Sequence, residues 1–382
     1  MMATVQIPKP GWNETGREYQ LRRDAAVLRG PVEWSWDVTN QCVGACLHCF
    51  NRSGILPRQE LTDAEMIDLA GQIAAMKPLG VCFCGGEPLL RAGLLPTLAR
   101  ELTAAGTTVN AVSNGMLMTP SIAARLFEAG IRLVQVSVDG AQARTHEHLR
   151  RVPGSFDKAI AAIRMLRECG ATVGVSFSPT RVNIHEWIEV YGLCRELGVA
   201  DLRIQPLMPL GTCGLWYDDI APSQAQYREL IDQYKRLGMA SPAPPRLEWG
   251  DPVDHLIRFG QSYAMITYTV HVTSDGYLMP SVYLPVVLGN VRRHPLADYW
   301  RAGLATAWDV RLVREMAYRV RSNRDFQHIR PHPYFDPPVD LDLVDHTPAE
   351  IERLTDVTLD FIERVSPSTG RPGIELNAVS AP

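Results

Sequence analysis

From residue 32 to residue 207, short apolar runs alternate with longer stretches of helical periodicity. The strand-like runs fall at 32–38, 81–84, 108–113, 133–138, 172–178 and 202–207. Between them, the segments 63–76, 89–104, 121–128, 156–169 and 184–197 place apolar residues three and four positions apart, the helical spacing. Thr62, with Glu65 three positions on, predicts a capping box at the head of the first helix. Gly106, Gly130, Gly170 and Gly198 each follow a helical stretch, where a left-handed cap sits. Strands that alternate with helices predict a parallel sheet with helices on its outer face. Six such units fall short of the eight of a closed barrel, so the expected fold is α/β, a partial (β/α)6 barrel spanning 31–240. Ligands of such sheets gather at the carboxyl ends of the strands.

Beyond the barrel the pattern changes. Pro222 opens a helix running to about residue 237, and the proline-rich stretch 241–245 reads as a rigid linker. The runs 266–273 and 277–280 predict a hairpin turning at Asp275-Gly276, with helices near 295–320 and 348–365. A small α+β C-terminal extension is therefore expected over 246–367, followed by a loose tail at 368–382 and preceded at the other end by a polar segment, 1–30.

Composition narrows the partners. The chain has 382 residues, 46% of them hydrophobic and 21% charged, enough to bury a sizeable core. Its formal charge of −4 and the lack of a basic block point away from nucleic acid and anionic membranes. No apolar run approaches the roughly 20 residues that span a bilayer, and nothing near the start has signal-peptide character. The expected location is cytoplasmic, where cysteines stay reduced and serve metals or catalysis.

The candidate chemistry is concentrated in Cys42, Cys46 and Cys49, three thiols within eight residues directly after the first strand. That spacing can hold three corners of a four-iron, four-sulfur cluster, whose usual complement is four cysteines, leaving one iron without a protein ligand. Two alternatives stay open from spacing alone: a zinc site completed by His48 or a distant residue, and buried free thiols. One βα unit later, Gly85-Gly86-Glu87-Pro88 ends the second strand. Its glycines let backbone approach a ligand closely, and Glu87 or nearby carbonyls can accept hydrogen bonds from an ammonium group.

Together these motifs resemble those of the radical S-adenosylmethionine enzymes. The resemblance covers most of the barrel. It implies one 4Fe-4S cluster on Cys42, Cys46 and Cys49, whose open iron is chelated by the amino and carboxylate groups of S-adenosylmethionine. Reductive cleavage of the sulfonium then gives a 5′-deoxyadenosyl radical that abstracts hydrogen from carbon. Gly85, Gly86, Glu87 and Pro88 match the family's motif for the methionyl amino group. Ser113 and Asn114 follow the third strand, and Ser137 and Asp139 the fourth. In this subfamily, serine and aspartate there lie near the ribose and carboxylate of the cofactor. Arg150 is similar to the family's arginine that clamps a carboxylate, and Ser176, on the fifth strand, is a further candidate for the same site. A flavodoxin- or ferredoxin-type electron donor is implied.

The C-terminal part resembles the SPASM or Twitch extension through Asp275-Gly276 and Gly289-Asn290, but Ser281 stands where members with auxiliary clusters have cysteine. No cysteine follows Cys213, so a vestigial extension without a second cluster is expected. Among the other thiols, Cys169 and Cys194 read as core. Cys82 and Cys84 alternate along a strand, and Cys213, after the sixth strand, is either loop filler or a hydrogen-atom donor to a substrate radical. His271, Tyr283, Arg330 and His332 are candidates for a polar pocket.

The substrate expected on this reading is a small molecule, a natural-product intermediate of aminoglycoside or aminocyclitol type, undergoing dehydrogenation or epimerisation. Only about forty residues precede the cysteine motif, few for a peptide-recognition domain. Modification of a ribosomally made peptide is the alternative, and a non-catalytic zinc-binding adaptor is a third reading of a different class.

Overall fold

The computed structural model describes residues 27–55, 58–240, 244–258, 267–332 and 334–365. Six parallel strands form its centre: β1 Glu33–Thr39, β2 Gly80–Gly85, β3 Thr108–Ser113, β4 Ile131–Ser137, β5 Thr172–Phe177 and β6 Asp201–Ile204, paired in sequence order. This is the expected α/β partial barrel. Four further strands join the same sheet: β7 Arg246–Trp249 pairs parallel with β6, while β8 Thr269–Val272 pairs parallel with β1 and carries β9 Tyr277–Met279 and β11 Gly289–Asn290 antiparallel beyond it. The expected hairpin is therefore β8 and β9, and the boundary placed near residue 245 falls between β6 and β7, paired neighbours in one ten-stranded sheet. A second, two-stranded sheet pairs β10 Val286–Val287 with β12 Val339–Asp340.

Successive side chains of a strand point to opposite faces, and here the two faces differ in kind. Trp34, Trp36, Val81, Phe83, Val109, Val134, Val136, Val173, Val175 and Phe177 are buried under the helices. Removing one such ring, Trp36 or Phe83, costs about 3–5 kcal/mol. The alternate positions, Ser35, Asp37, Cys82, Cys84, Asn110, Gln135, Ser137 and Ser176, are polar or small, and most are only half-buried. A parallel sheet covered on both faces would read as continuously apolar. This one curves around a polar interior instead.

Local signals set the helices. Thr62 accepts from the Glu65 amide and the Glu65 carboxylate accepts from the Thr62 amide, completing the expected capping box of helix Asp63–Met76. The expected helix at 89–104 is divided into a tight turn, Pro88–Arg91, and a helix, Leu95–Ala104. Helices Ala143–Arg150 and Gly211–Ile220 were not expected, and the sixth strand stops at Ile204, before Pro206. Among the described residues no helix is long and apolar enough to cross a membrane. The expectations for segments 1–26 and 366–382 lie outside the described residues.

Candidate functional site

The cysteine loop leaves β1 at Thr39 and is anchored at its root. The Glu60 carboxylate accepts from the Thr39 hydroxyl at 2.9 and 3.0 Å and from the Asn40 amide at 2.6 Å, and Arg91 binds Glu60 at 3.1 Å. Further on, Ala45 and Leu47 donate to the carbonyls of Arg150 and Leu149 at 3.3 and 2.9 Å, and the Cys213 amide donates to the Cys49 carbonyl at 3.0 Å. The loop is thus held from β1, from the helix after β4 and from the helix after β6. All eight cysteines are free.

Donors converge on the sulfurs. The Gly44 amide is 3.3 Å from Cys42 Sγ, Asn114 Nδ2 is 3.9 Å from the same sulfur, and Arg150 Nη1 is 4.0 Å from Cys46 Sγ. A Cβ at Gly44 would stand 3.4 Å from Cys46 Sγ and 3.7 Å from Cys42 Sγ, so glycine keeps the space between these sulfurs clear. Hydrogen bonds to the sulfurs are a lever on iron–sulfur sites, and this donor set fits a cluster. It does not fit zinc completed by His48, whose Nε2 turns away to Asp139 Oδ2 at 3.1 Å. Burial raises the Cys42 thiol and pushes that of Cys46 up to about 12, so the ion-free loop keeps these protons and metal binding displaces them.

Gly85 and Gly86 let two stretches of backbone approach closely. A Cβ at Gly85 would lie 2.3 Å from the Thr39 carbonyl oxygen, and one at Gly86 2.0 Å from that of Gln41. Gly86 and Glu87 amides donate to these same two carbonyls at 2.8 Å, stitching the end of β2 to the root of the cysteine loop. Pro88 then starts the tight turn. The Glu87 carboxylate is fully buried and accepts from Leu89 N at 3.0 Å, Ser113 Oγ at 2.8 Å and Asn114 N at 2.7 Å. Burial raises its pKa against these hydrogen bonds. With the Glu87 side chain so engaged, nearby backbone carbonyls are the other expected acceptor for an ammonium group. The carboxylate fixes the β3 loop, and Ser113 does the same by accepting from Gly115 N at 2.9 Å.

Asp139 is fully buried yet ionised: burial opposes its charge, but Arg150 and then His48 outweigh it and hold the carboxyl well below the usual range. Arg150 Nε and Nη2 lie 2.8 and 2.7 Å from Asp139 Oδ2, and Ser178 N donates to Oδ1 at 3.0 Å. The guanidinium expected to clamp a carboxylate is thus seated on Asp139, with Nη1 directed to Cys46. Ser137 and Ser176 face each other in register on β4 and β5, their oxygens 3.4 Å apart on the inner face.

Cys213 lies within a helix, not a loop, and has no exposed surface. It packs in a small apolar cluster with Leu47, Leu207, Tyr217 and Ile220. That position backs the cysteine loop. Of the four candidates for a polar pocket, His271 alone borders the cavity beside the cysteine loop; Arg330 is spent on the carbonyls of Gln327 and Ile329, and the His332 ring packs on Phe335.

The cavity, about 280 Å³, opens beside the cysteine loop between β1, β8, β9 and the segment around Tyr334. Asp37 and His271 form its floor, Tyr334, Met279 and Val282 its walls, and Arg58, paired with Asp275 at 2.9 Å, its rim. Tyr334 meets Phe50, the residue after Cys49, edge to face at 6.2 Å, and its hydroxyl donates to the Val282 carbonyl at 3.0 Å. Asp37, Arg58 and Tyr334 were missed from sequence. The one available signal was an acid at an inward position of β1, five residues before the cysteine loop.

Comparisons with known proteins agree with this geometry. Residues 36–194 match the model of the Radical SAM superfamily. An AdoMet-dependent heme synthase of Methanosarcina barkeri is 29% identical over 296 residues, covering 72% of this chain and 83% of that protein. Mycofactocin maturase MftC of Mycolicibacterium smegmatis is 33% identical over 239 residues, 62% of this chain and 59% of its own. Among solved structures, Streptococcus suis SuiB bound to S-adenosylmethionine superposes with a TM-score of 0.61 at 16% identity, over 80% of this chain and 74% of that one.

Proposed function

We propose, because this chain belongs to the radical S-adenosylmethionine superfamily, that it is an enzyme acting on a single residue of a peptide held in the cavity beside the cysteine loop. Its cofactors are one 4Fe-4S cluster and S-adenosylmethionine, which when bound supply a carbon radical able to take hydrogen from an unactivated carbon.

The observation that carries the substrate reading is the cavity. A void of about 150 Å³ accommodates a benzene ring, so 280 Å³ suits an amino-acid side chain with its flanking backbone. Relatives named as heme synthases make a tetrapyrrole the rival substrate in the test. Aromatic and proline walls, Tyr334, Phe335, Pro337 and Pro338, suit a peptide better than the hydroxyl-studded aminocyclitol first expected. The 33%-identical maturase relative supports the same choice.

In this reading Cys42, Cys46 and Cys49 hold the cluster, and the Asn114 amide and Arg150 guanidinium steady its sulfurs. Asp139 keeps Arg150 aligned, and Ser137 and Ser176 offer hydroxyls to the cofactor from the inner face. The segment after residue 267 resembles a SPASM or Twitch extension in outline. Without cysteines, it acts as the wall of the substrate cavity. A flavodoxin- or ferredoxin-type protein of the cytoplasm supplies the electron.

The test is 5′-deoxyadenosine release by the anaerobically reconstituted enzyme. A panel of short peptides is compared with a tetrapyrrole panel and an aminocyclitol panel. The expected result is stimulation by a peptide, with loss of two hydrogens or uptake of solvent deuterium at one residue. Stimulation by either panel and by no peptide overturns the reading.

A further inference from the structure

The floor of the cavity holds a cluster that the reaction described above does not use. Asp37 on β1, Cys84 on β2 and His271 on β8 each offer one ligand atom, and the three atoms lie within 4.8 Å of one another. Cys84 Sγ is 3.4 Å from Asp37 Oδ1, and His271 Nε2 is 3.2 Å from Asp37 Oδ2. Ligands held at zinc-type bond lengths of about 2.0–2.3 Å in a tetrahedron stand roughly 3.3–3.8 Å apart, which brackets the first distance and lies just above the second.

We propose that Asp37, Cys84 and His271 form a mononuclear site for a divalent, zinc-type cation, with its fourth coordination position turned to the cavity. Sulfur, imidazole and carboxylate are the donor types that zinc takes, and three protein ligands with one open position are the pattern of its reactive sites. The supporting contacts are those a ligand set needs. Ser35 Oγ lies 3.2 Å from His271 Nδ1 and 3.1 Å from Cys84 Sγ. It can accept a hydrogen bond from the imidazole Nδ1–H, leaving the Nε2 lone pair for a metal, and donate its own hydrogen to a thiolate. Asn51 Nδ2 reaches Asp37 Oδ2 at 3.4 Å.

Register explains the convergence. Ser35 pairs with Cys82 on one side and His271 on the other, and Asp37 pairs with Cys84, so three adjacent strands bring these groups to two successive levels of the inner face. Asp37 and His271 line the cavity, so the open position would receive an oxygen or sulfur donor of whatever occupies it. The other such cluster among the described residues, His294, Asp342 and Asp345, differs in kind: its Asp342 is already committed to Arg293 at 2.8 Å and to Tyr299 at 3.0 Å.

The test uses the full, cluster-loaded chain, incubated anaerobically with Zn²⁺ alone, desalted and assayed for iron and zinc. The expected result is about one zinc per chain, with a zinc-edge absorption shell of one sulfur near 2.3 Å and nitrogen or oxygen near 2.0–2.2 Å. Cys84→Ser and His271→Gln should each cut retained zinc at least tenfold while iron content stays at the wild-type level. Should Cys84→Ser fail to fold, as read from iron content and circular dichroism, His271→Gln and the wild-type shell decide. Wild-type chain that holds no zinc, a shell of three sulfurs placing it in the cysteine loop, or undiminished zinc in His271→Gln overturns the proposal. None of these readouts depends on the peptide reading.

Discussion

The cysteine-loop rim and the cavity floor are both polar and largely buried, but they are built on opposite principles. At the cysteine loop, each buried carboxylate is spent on fixed neighbours: Glu87 on the Leu89 and Asn114 amides and the Ser113 hydroxyl, and Asp139 on Arg150, His48 and the Ser178 amide. On the floor, Asp37, Cys84, His271 and Ser35 touch one another through side chains alone, from strands joined only by register. The first arrangement positions a loop and leaves little to give to a ligand. The second holds its groups close while their chemistry stays available.

The largest contrast comes from the thiols. Cys46→Ala should abolish cluster binding and S-adenosylmethionine cleavage outright, whereas Cys84→Ser should leave iron content intact. Iron analysis and 5′-deoxyadenosine release measure both, and retained cleavage in Cys46→Ala would contradict the cluster assignment. Stability should divide in the same way. Arg150→Ala leaves Asp139 charged and buried, and removing one partner of such a pair costs about 3–5 kcal/mol. His271→Gln gives up hydrogen bonds worth about 1 kcal/mol. Denaturant midpoints of the two variants should therefore differ clearly, and equal midpoints would erase the distinction between rim and floor.

Acid should reveal the rim through His146. Its ring is buried and accepts from the Asp139 amide at 3.1 Å; burial and then Arg150 hold its pKa down to about 4. His255, packed between Tyr283 and Trp308, is held at about 4 by burial. The unfolded chain binds these protons near pH 6.5 and the folded chain does not. Stability is therefore full above about 6.5 and falls as pH drops toward 4, by roughly 1.4 kcal/mol per pH unit for each histidine. His146→Asn should remove about half of that slope, and an unchanged slope would show that His146 titrates normally in the fold.

What the sequence disclosed follows the same division. The six strands of the barrel were legible because each buries an alternate apolar set under a helix, and the cysteine loop because its ligands are neighbours in the chain. Helix Ala143–Arg150 was missed because Leu149 and Ala143 are its only apolar residues, too few for a period to show. The floor was illegible for a topological reason: His271 meets Ser35 across 236 positions, through a β8–β1 pairing that leaves no local trace. The Glu87 motif was legible because it is local, whereas its partners, Ser113 and Asn114, come from the next strand.

A moderate effect is expected at the seam of the rim. Gly86→Ala would set a methyl group 2.0 Å from the Gln41 carbonyl, a backbone atom that cannot rotate away. Overpacking of this kind costs about 1–3 kcal/mol, and here the strain falls on the residue before Cys42. Iron per chain should drop several-fold while the barrel still folds, as seen by circular dichroism. Normal iron content would mean the loop does not depend on its seam with β2.

The smallest effect is expected at Cys213, and it decides whether the thiol belongs to the rim or to the reaction. Its side chain is sealed among Leu47, Leu207, Tyr217 and Ile220, and burial, with Cys49 nearby, pushes the thiol well above its ordinary pKa. Its backbone amide, which holds the Cys49 carbonyl, survives any side-chain substitution. Cys213→Ala should therefore lose only about 1 kcal/mol, the packing of one small buried group, with unchanged iron and unchanged cofactor cleavage. A hydrogen-atom donor would behave otherwise: in the alanine variant, 5′-deoxyadenosine would still form while the product lost solvent-derived hydrogen. Product formed at the wild-type rate, with wild-type deuterium incorporation, is the outcome that a sealed, loop-backing thiol requires.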